Sequence, residues 1–377
     1  MADHPSIVRS DARRRTARRT RVLHVISSLH GGGAERVLLT LLDGLPEVSQ
    51  TLAVAGAGAL LPLVPRSVPI RSAGTALALA ELMVRVRPDV VHTWLDDSLL
   101  MTVAAAAQLA VPIVHRIYNV PSLQAAYEPS APDRRGRMAR ALSAATRVVA
   151  LSATAADDAA RFYGIEPPQV IYNGFPLAGA RAANSAPIAR ADGRFVILNV
   201  ARLAPEKGQA TLIEAVRRIA RAHPQVDVWL AGIGPLEGEL RRQAADAGLA
   251  DRVTFLGFRE DVSRLHAAAD LFVFPSLTEG FGNAFGEALV GGLPIVASDL
   301  PVIRRELLGG APAAWLHPPG DASALAVALE ALVSDAGARA RLAAHARAAG
   351  ARFAVGAMLD AYRSLYARLA EETRAAA

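Results

Sequence analysis

The chain has 377 residues, of which 52% are apolar and 5% aromatic, with no cysteine and a formal net charge of +6. That length exceeds what one hydrophobic core usually serves, so two α/β domains are expected, and the few aromatics favour helices on buried parallel strands over an antiparallel sandwich. The missing cysteine excludes disulfides, thiolate catalysis and zinc–cysteine sites, and it fits a reducing cytosol.

The chain opens with arginines at positions 9, 13, 14, 15, 18, 19 and 21. Residues 1–20 read as a disordered, solvated basic arm. Such a cluster gains electrostatic energy near anionic lipid or nucleic acid, but no aromatic side chain interleaves with the arginines to stack on bases. Nucleic acid is therefore not expected, and an anionic membrane surface is the alternative to simple solvation. No apolar leader precedes the first strand, so secretion is not expected. The charge-free runs 48–65 and 98–114 approach membrane length, yet glycines and prolines interrupt the first and Gln108 and Pro112 the second. Both read as interior segments.

The ordered protein begins at VLHVISSL (22–29), which leads into GGGAERVLLTLL (31–42) as strand, glycine turn and helix. Further strands are expected at 51–55, 89–93, 111–117 and 147–151, with a helix between each pair, which implies a doubly wound parallel sheet over residues 21–180. The chain then turns small and polar, and 181–194 are taken as a linker. A second alternating series occupies 195–352. Its strands are FVILNVARL (195–203), VDVWLAGIG (226–234), RVTFLGF (252–258), LFVFPS (271–276) and LPIVASD (293–299). Residues 353–377 form a last helix that is expected to pack back on the first domain.

Candidate site residues gather at predicted strand ends. EGFGNAFGE (279–287) places Glu279 on the loop after a buried strand and Glu287 inside the next helix. Ligands of open α/β sheets bind outside the strands' carboxyl ends, a helix N-terminus there offers N–H groups to phosphate, and a carboxylate accepts two hydroxyl donors. Each glutamate thus suits a sugar or ribose diol; the alternative is a loop acid followed by an amphipathic helix. In VARLAPEKGQ, Arg202 and Lys207 follow another strand end, where they would meet a diphosphate or else form a solvated turn with Lys207 paired to Glu206.

The glycines at 31–33 do not complete a dinucleotide fingerprint, because Arg36 stands at the third glycine position, so a nicotinamide dehydrogenase is disfavoured. They leave open backbone at a sheet edge, or a plain strand-to-helix turn. The chain has no Asp-x-Asp and no paired histidine spacing, so neither a metal nor another cofactor is expected. His92 and His115 read as structural strand residues. Trp94, Tyr118 and Asn119 follow strand ends and either line an acceptor pocket or pack at the rim.

Taken together, GGGAER (31–36), IYNG (171–174), VARLAPEKG (200–208), FLGF (255–258) and EGFGNAFGEALVGGLPIVASD (279–299) resemble the retaining, nucleotide-sugar-dependent glycosyltransferases of the GT-B fold, family 4 or group 1 type. The resemblance implies two Rossmann-like domains facing a cleft, the donor on the second and the acceptor on the first. It implies that Glu287 holds the donor ribose, that Glu279 contacts the transferred sugar, and that Arg202 and Lys207 neutralise the diphosphate. Backbone near Phe281, Gly282 and Asn283 would complete those contacts, backbone at Gly257 and Phe258 would edge the base, and Gly32 or Gly33 would approach the diphosphate. Many members carry a first-domain histidine on a strand that begins Val-Pro; counting from Val111 puts Tyr118 in its place, before Asn119, with His115 three positions early. The implied activity is transfer from a UDP-sugar to a glycan or lipid-linked acceptor, in the cytoplasm or at the inner face of the membrane. An epimerase of the same fold and a non-catalytic nucleotide-sugar-binding protein are the rivals.

Overall fold

The structure is a computed structural model, and it describes residues 18–30, 32–127, 133–175, 192–259 and 261–376. In the first half, β1 (Arg21–Ile26), α1 (Gly33–Gly44), β2 (Ser49–Val54), β3 (Ile70–Ser72), α2 (Ala76–Val86), β4 (Val90–Trp94) and α3 (Asp96–Ala105) follow one another. They continue as β5 (Ile113–Ile117), α4 (Pro121–Tyr127), α5 (Arg134–Ala144), β6 (Arg147–Ala150), α6 (Ala153–Tyr163) and β7 (Gln169–Val170). These strands form one parallel sheet in the order β3-β2-β1-β4-β5-β6-β7.

The second half starts with β8 (Phe195–Val200), α7 (Gln209–Ile219), β9 (Val226–Ala231), α8 (Glu237–Asp246), β10 (Val253–Gly257) and α9 (Val262–Ala268). It closes with β11 (Leu271–Phe274), α10 (Asn283–Gly291), β12 (Ile295–Ser298), β13 (Trp315–His317), α11 (Ala322–Ser334), α12 (Ala336–Gly350) and α13 (Val355–Ala376). Its parallel sheet runs β10-β9-β8-β11-β12-β13. Two Rossmann-like domains of the GT-B type result.

In each sheet the winding reverses once, between β1 and β4 and between β8 and β11. At such a switch point the loops leaving neighbouring strands diverge to opposite faces and open a crevice. The loops after β1, β4, β8 and β11 therefore carry the candidate site.

The chain crosses between domains twice, and the crossings run side by side. The Phe175 N–H donates to Phe353 O (2.8 Å) and the Val355 N–H to Phe175 O (3.0 Å). Beyond this bridge, α13 lays Met358, Tyr362, Leu365, Tyr366 and Leu369 into the core of the first domain, at helical spacing and all buried. Each such burial is worth about 1.5–3 kcal/mol, so the helix is an integral part of the first domain's core.

The helix expected between the strands at 51–55 and 89–93 is α2, and a 3₁₀ turn, Leu61–Leu63, precedes it. Two expectations change. Strands β3 and β13 were not expected, because each has three residues and β3 is exposed throughout, which leaves no apolar run to read. The basic arm is anchored at its end: Arg18 pairs with Asp89 at 3.2 Å, where Arg21 and Arg374 also converge. Residues 1–17 and most of the linker, 176–191, lie outside the described residues, while Arg194 at the linker's end donates to Asp227 of the second domain (2.8 Å).

Candidate active site between the two domains

On the second domain the loop after β8 folds as a 3₁₀ turn, Pro205–Lys207, that ends in Gly208 at φ 67°. A side chain at Gly208 would put its Cβ 2.1 Å from Pro275 O, so the glycine lets the β8 and β11 loops touch. Across that contact the Lys207 ammonium donates to Glu279 Oε1 at 2.7 Å, and the Ser276 hydroxyl donates to the same oxygen at 2.8 Å. Arg202 turns outward, with 65% of its side chain exposed, and pairs with Glu206 at 2.6 Å. The alternative of a Lys207–Glu206 pair is thereby replaced: Glu206 takes Arg202, and Lys207 takes Glu279. Glu279 and Lys207 are thus joined as an ion pair across the two loops.

The same loop ends at Gly282 (φ 91°), the N-cap of α10, which has no side-chain cap. Its first-turn N–H groups remain open to an acceptor, and the helix dipole favours an anion there. Inside α10, Glu287 makes no hydrogen bond to a described residue. Burial pushes its carboxyl up to about 7, partly opposed by the Arg36 guanidinium. Arg36 reaches over from α1: it lies 5.4 Å from the Phe258 ring centre and donates to Arg259 O at 3.4 Å. The Phe258 ring is 46% exposed and Gly257 is held at φ 65°. Phe281, by contrast, turns its ring into the core, stacked on Tyr172 and Phe175, so only its backbone faces the loop.

The first domain supplies the facing wall. A Cβ on Gly33 would come within 2.6 Å of Asn283 Nδ2, a close approach that ties the β1–α1 turn to the start of α10. Asn173 Nδ2 donates to Asn283 Oδ1 at 2.5 Å, and Asn173 Oδ1 accepts from Arg116. Arg116 is fully buried, and instead of a carboxylate it meets Ile171 O (3.1 Å), the Tyr362 hydroxyl and the Tyr118 ring. Between Gly33, Asn173, Asn283 and Tyr118 lies a cavity of about 310 Å³ with Leu95 and Leu151 among its apolar walls. Leu95 adopts φ 72°, ψ 149°, close to a region that non-glycine residues enter at a cost of about 1–3 kcal/mol.

Two further contacts fix the domains against each other. Glu306, from a π-helical turn Ile303–Leu308, accepts from the Ala153 and Thr154 N–H groups at 2.7 and 2.8 Å, capping α6 of the opposite domain. Ser152 Oγ donates to Gly280 O at 3.1 Å. Asn119 lies beside Gly280, with its carboxamide turned to Gln124.

The histidines of the first sheet are spent on packing. His115 is buried against Thr93 Oγ1 (2.8 Å) and His92 against the Tyr366 hydroxyl (2.7 Å). His24 accepts from Trp94 Nε1 at 3.1 Å, so its other nitrogen carries the proton that reaches Gln50 Oε1 at 3.2 Å. Neither His92 nor His115 lines the cavity, whereas Tyr118 does.

The match to glycosyltransferase sequences covers both domains. Residues 19–178 match the model "Glycosyltransferase Family 4" and 180–349 the model "Glycosyl transferases group 1". The D-inositol 3-phosphate glycosyltransferase of Xylanimonas cellulosilytica is 32% identical over 305 residues, 73% of this chain and 71% of that protein. The chain belongs to the group 1, family 4 glycosyltransferases.

Other members of the family match over less. Lipopolysaccharide core biosynthesis glycosyltransferase LpsE of Rhizobium meliloti is 35% identical over 46% of this chain and 49% of its own length. Amylovoran biosynthesis glycosyltransferase AmsK of Erwinia amylovora is 40% identical over 35% and 34%. The chain thus spans a third to a half of these two curated relatives. Among solved structures, Anabaena Alr3699/HepE in complex with UDP superposes with a TM-score of 0.79 at 25% identity, over 93% of this chain and 100% of that one.

Within this family setting, Asn283 and Gly33 line the same cavity from opposite domains, and Gly282, Glu279 and Lys207 lie on the loops that lead to it on the second-domain side. Arg36, Glu35, Asn173 and Glu306 had no assigned role in the sequence reading. The available signal for Glu35 and Arg36 was their place in the first helical turn after a switch-point strand. Among the described residues no group of three His, Asp or Glu side chains is placed to hold a metal ion, and no helix is long and apolar enough to cross a membrane.

Proposed function

We propose that the chain moves a sugar from a nucleoside diphosphate sugar, a UDP-sugar foremost, to an acceptor hydroxyl with retention, in polysaccharide or lipid-linked glycan assembly. The observation that carries this reading is the Lys207–Glu279 pair seated at the loop that leads into the uncapped N-terminus of α10. In this reading Lys207, Arg202 and the α10 N–H groups meet the diphosphate, Glu287 takes the ribose hydroxyls, and Glu279 orients the sugar. The UDP complex of the Anabaena neighbour supports uridine as the base.

Glu279 Oε1 already accepts from Lys207 and Ser276, and a carboxylate so engaged is a poor nucleophile. This favours front-face transfer. The bond from the anomeric carbon to the phosphate oxygen breaks, the acceptor oxygen bonds to that carbon on the same face, and the acceptor proton passes to the leaving phosphate. Lys207 and the α10 dipole stabilise the charge that develops there. No metal takes part, so activity is expected to persist in EDTA; a loss restored by magnesium or manganese would overturn that part.

Incubation with radiolabelled UDP-sugars tests the whole reading. Label transferred to an acceptor supports it. Interconversion of the sugar alone would identify an epimerase, and binding without turnover a silent binding protein.

A further inference from the structure

Arg116 is a buried cation whose hydrogen-bond partners are all neutral. Its Nη2 donates to Ile171 O at 3.1 Å and to Asn173 Oδ1, its Nη1 donates to the Tyr362 hydroxyl, and its Nε has no partner among the described residues. Arg116 and Tyr362 are fully buried and Asn173 is 2% exposed. A guanidinium enclosed without a carboxylate costs free energy that neutral acceptors offset only in part, and an apolar side chain would serve the fold as well. The cation is better explained by the bonds it directs.

A guanidinium has donors and no acceptor, whereas a carboxamide has one end of each kind. Arg116 therefore fixes which end of Asn173 faces it. The oxygen must, and Asn173 Nδ2 is turned across the domain boundary, where it donates to Asn283 Oδ1 at 2.5 Å. With its oxygen so taken, Asn283 presents Nδ2 on its other side. That group faces Gly33, where a Cβ would lie 2.6 Å from it, and Asn283 and Gly33 both line the cavity between the domains. Two carboxamides thus carry one polarity from the core of the first domain to the first residue of α10 in the second. Hydrogen bonds in series polarise one another, so a cation at the head of the chain strengthens the donor at its end.

We propose that Arg116 is a positioning residue for the donor substrate: acting through Asn173, it holds the Asn283 amide with its N–H donors toward the cleft, where they meet an oxygen of the nucleoside diphosphate. The inference rests on the transferase reading and adds a remote residue to it. An Asn283 turned the other way would set its carbonyl oxygen against the diphosphate and exchange an attraction for a repulsion. Asn173 lies in IYNG (171–174), which gives that segment a role beyond its turn, and α13 takes part because Tyr362 helps to hold the guanidinium.

Calorimetric titration of UDP, with thermal melting, tests this in the full chain carrying Asn173→Asp, Asn283→Ala or both. A carboxylate at position 173 still accepts from Arg116, now as an ion pair, but it offers no N–H to Asn283, whose amide must then turn Nδ2 inward and its oxygen to the cleft. The expected result for Asn173→Asp is a melting temperature at or above that of the wild type, with UDP affinity lowered tenfold or more. Asn283→Ala is expected to lose a similar factor, and the double variant no more than either single one, because both changes act on the same amide. Undiminished UDP affinity in either single variant would overturn the relay. So would losses that multiply in the double variant, because position 173 would then act on the ligand independently of Asn283. A lowered melting temperature in Asn173→Asp would overturn it too, by showing that the new carboxylate does not pair with Arg116. A wild-type chain that fails to bind UDP would instead sink the transferase reading, so the two failures are distinguishable.

Discussion

On the second-domain wall of the cleft the two loop cations already have carboxylate partners, Lys207 with Glu279 and Arg202 with Glu206. On the first-domain wall, the Tyr118 hydroxyl has no hydrogen-bond partner among the described residues, and Arg116, close to the Tyr118 ring, is buried without a carboxylate. One wall stores charge in pairs that an anionic ligand can rearrange. The other holds its buried cation against neutral acceptors, Ile171 O, Asn173 Oδ1 and the Tyr362 hydroxyl. Under the proposed function a nucleoside diphosphate meets the first wall and the acceptor the second.

The largest effect expected from this contrast is on acid stability. His24 and His115 are lowered by burial to about 4 and about 3, and His92 is lowered well below its ordinary value by burial and by neighbouring cations and histidines. Each stays neutral when folded but takes a proton when unfolded below about pH 6.5, so stability is lost as pH falls from there toward 4. Each such group contributes at most about 1.4 kcal/mol per pH unit to that loss while it stays neutral in the folded protein. The second domain has only His266, lowered to about 4, and the less shifted His317. Hydrogen exchange followed by mass spectrometry should therefore show β1, β4 and β5 opening before β8 and β11 as pH drops. Simultaneous opening would contradict the contrast.

Lys207→Met should lower turnover by about 10²–10³, the range typical of removing one group that stabilises a transition-state charge. Steady-state rates with saturating donor read this directly. Because Glu279 shares the pair, Glu279→Gln is expected to weaken UDP binding as well as turnover by loosening Lys207. Separate effects on sugar and diphosphate would show the pair to be incidental.

Glu287 gives a smaller effect with a sign opposite to the histidines. Its carboxyl is raised from 4.5 to about 7, so the folded protein keeps a proton that the unfolded chain has lost, and stability falls as pH rises across that window. Glu287→Gln should raise stability at pH 8 by on the order of 3 kcal/mol while weakening UDP binding. An unchanged melting temperature at pH 8 would place Glu287 in a more solvated setting. Arg202 is mostly exposed, and Arg202→Ala should cost only about tenfold in turnover, read in the same assay as Lys207→Met.

The two walls also differed in how far they could be read from sequence. Glu279, Gly282, Asn283 and Glu287 fall within one short strand-loop-helix unit, so their spacing carries their geometry. Lys207 is remote from Glu279 in sequence, yet both follow strands that meet at one switch point, and the doubly wound pattern brings them together. The first-domain wall draws Glu35, Leu95, Tyr118 and Asn173 from four loops or helix starts, with no spacing to link them. Glu35 reads as an ordinary first-turn acid of a helix, and Glu306 as one more charge in an amphipathic segment. What they meet depends on how the domains come together, and that is a property of the folded cleft alone.

The division of labour between the walls is tested most directly by calorimetric titration of UDP into the wild type, Glu287→Ala and Glu35→Gln. Loss of a charged hydrogen-bond acceptor costs about 1.5–3 kcal/mol, so Glu287→Ala should bind UDP tenfold or more weakly while Glu35→Gln binds it as the wild type does. Equal losses in both variants, or an undiminished affinity in Glu287→Ala, would contradict the assignment of the nucleotide to the second-domain wall.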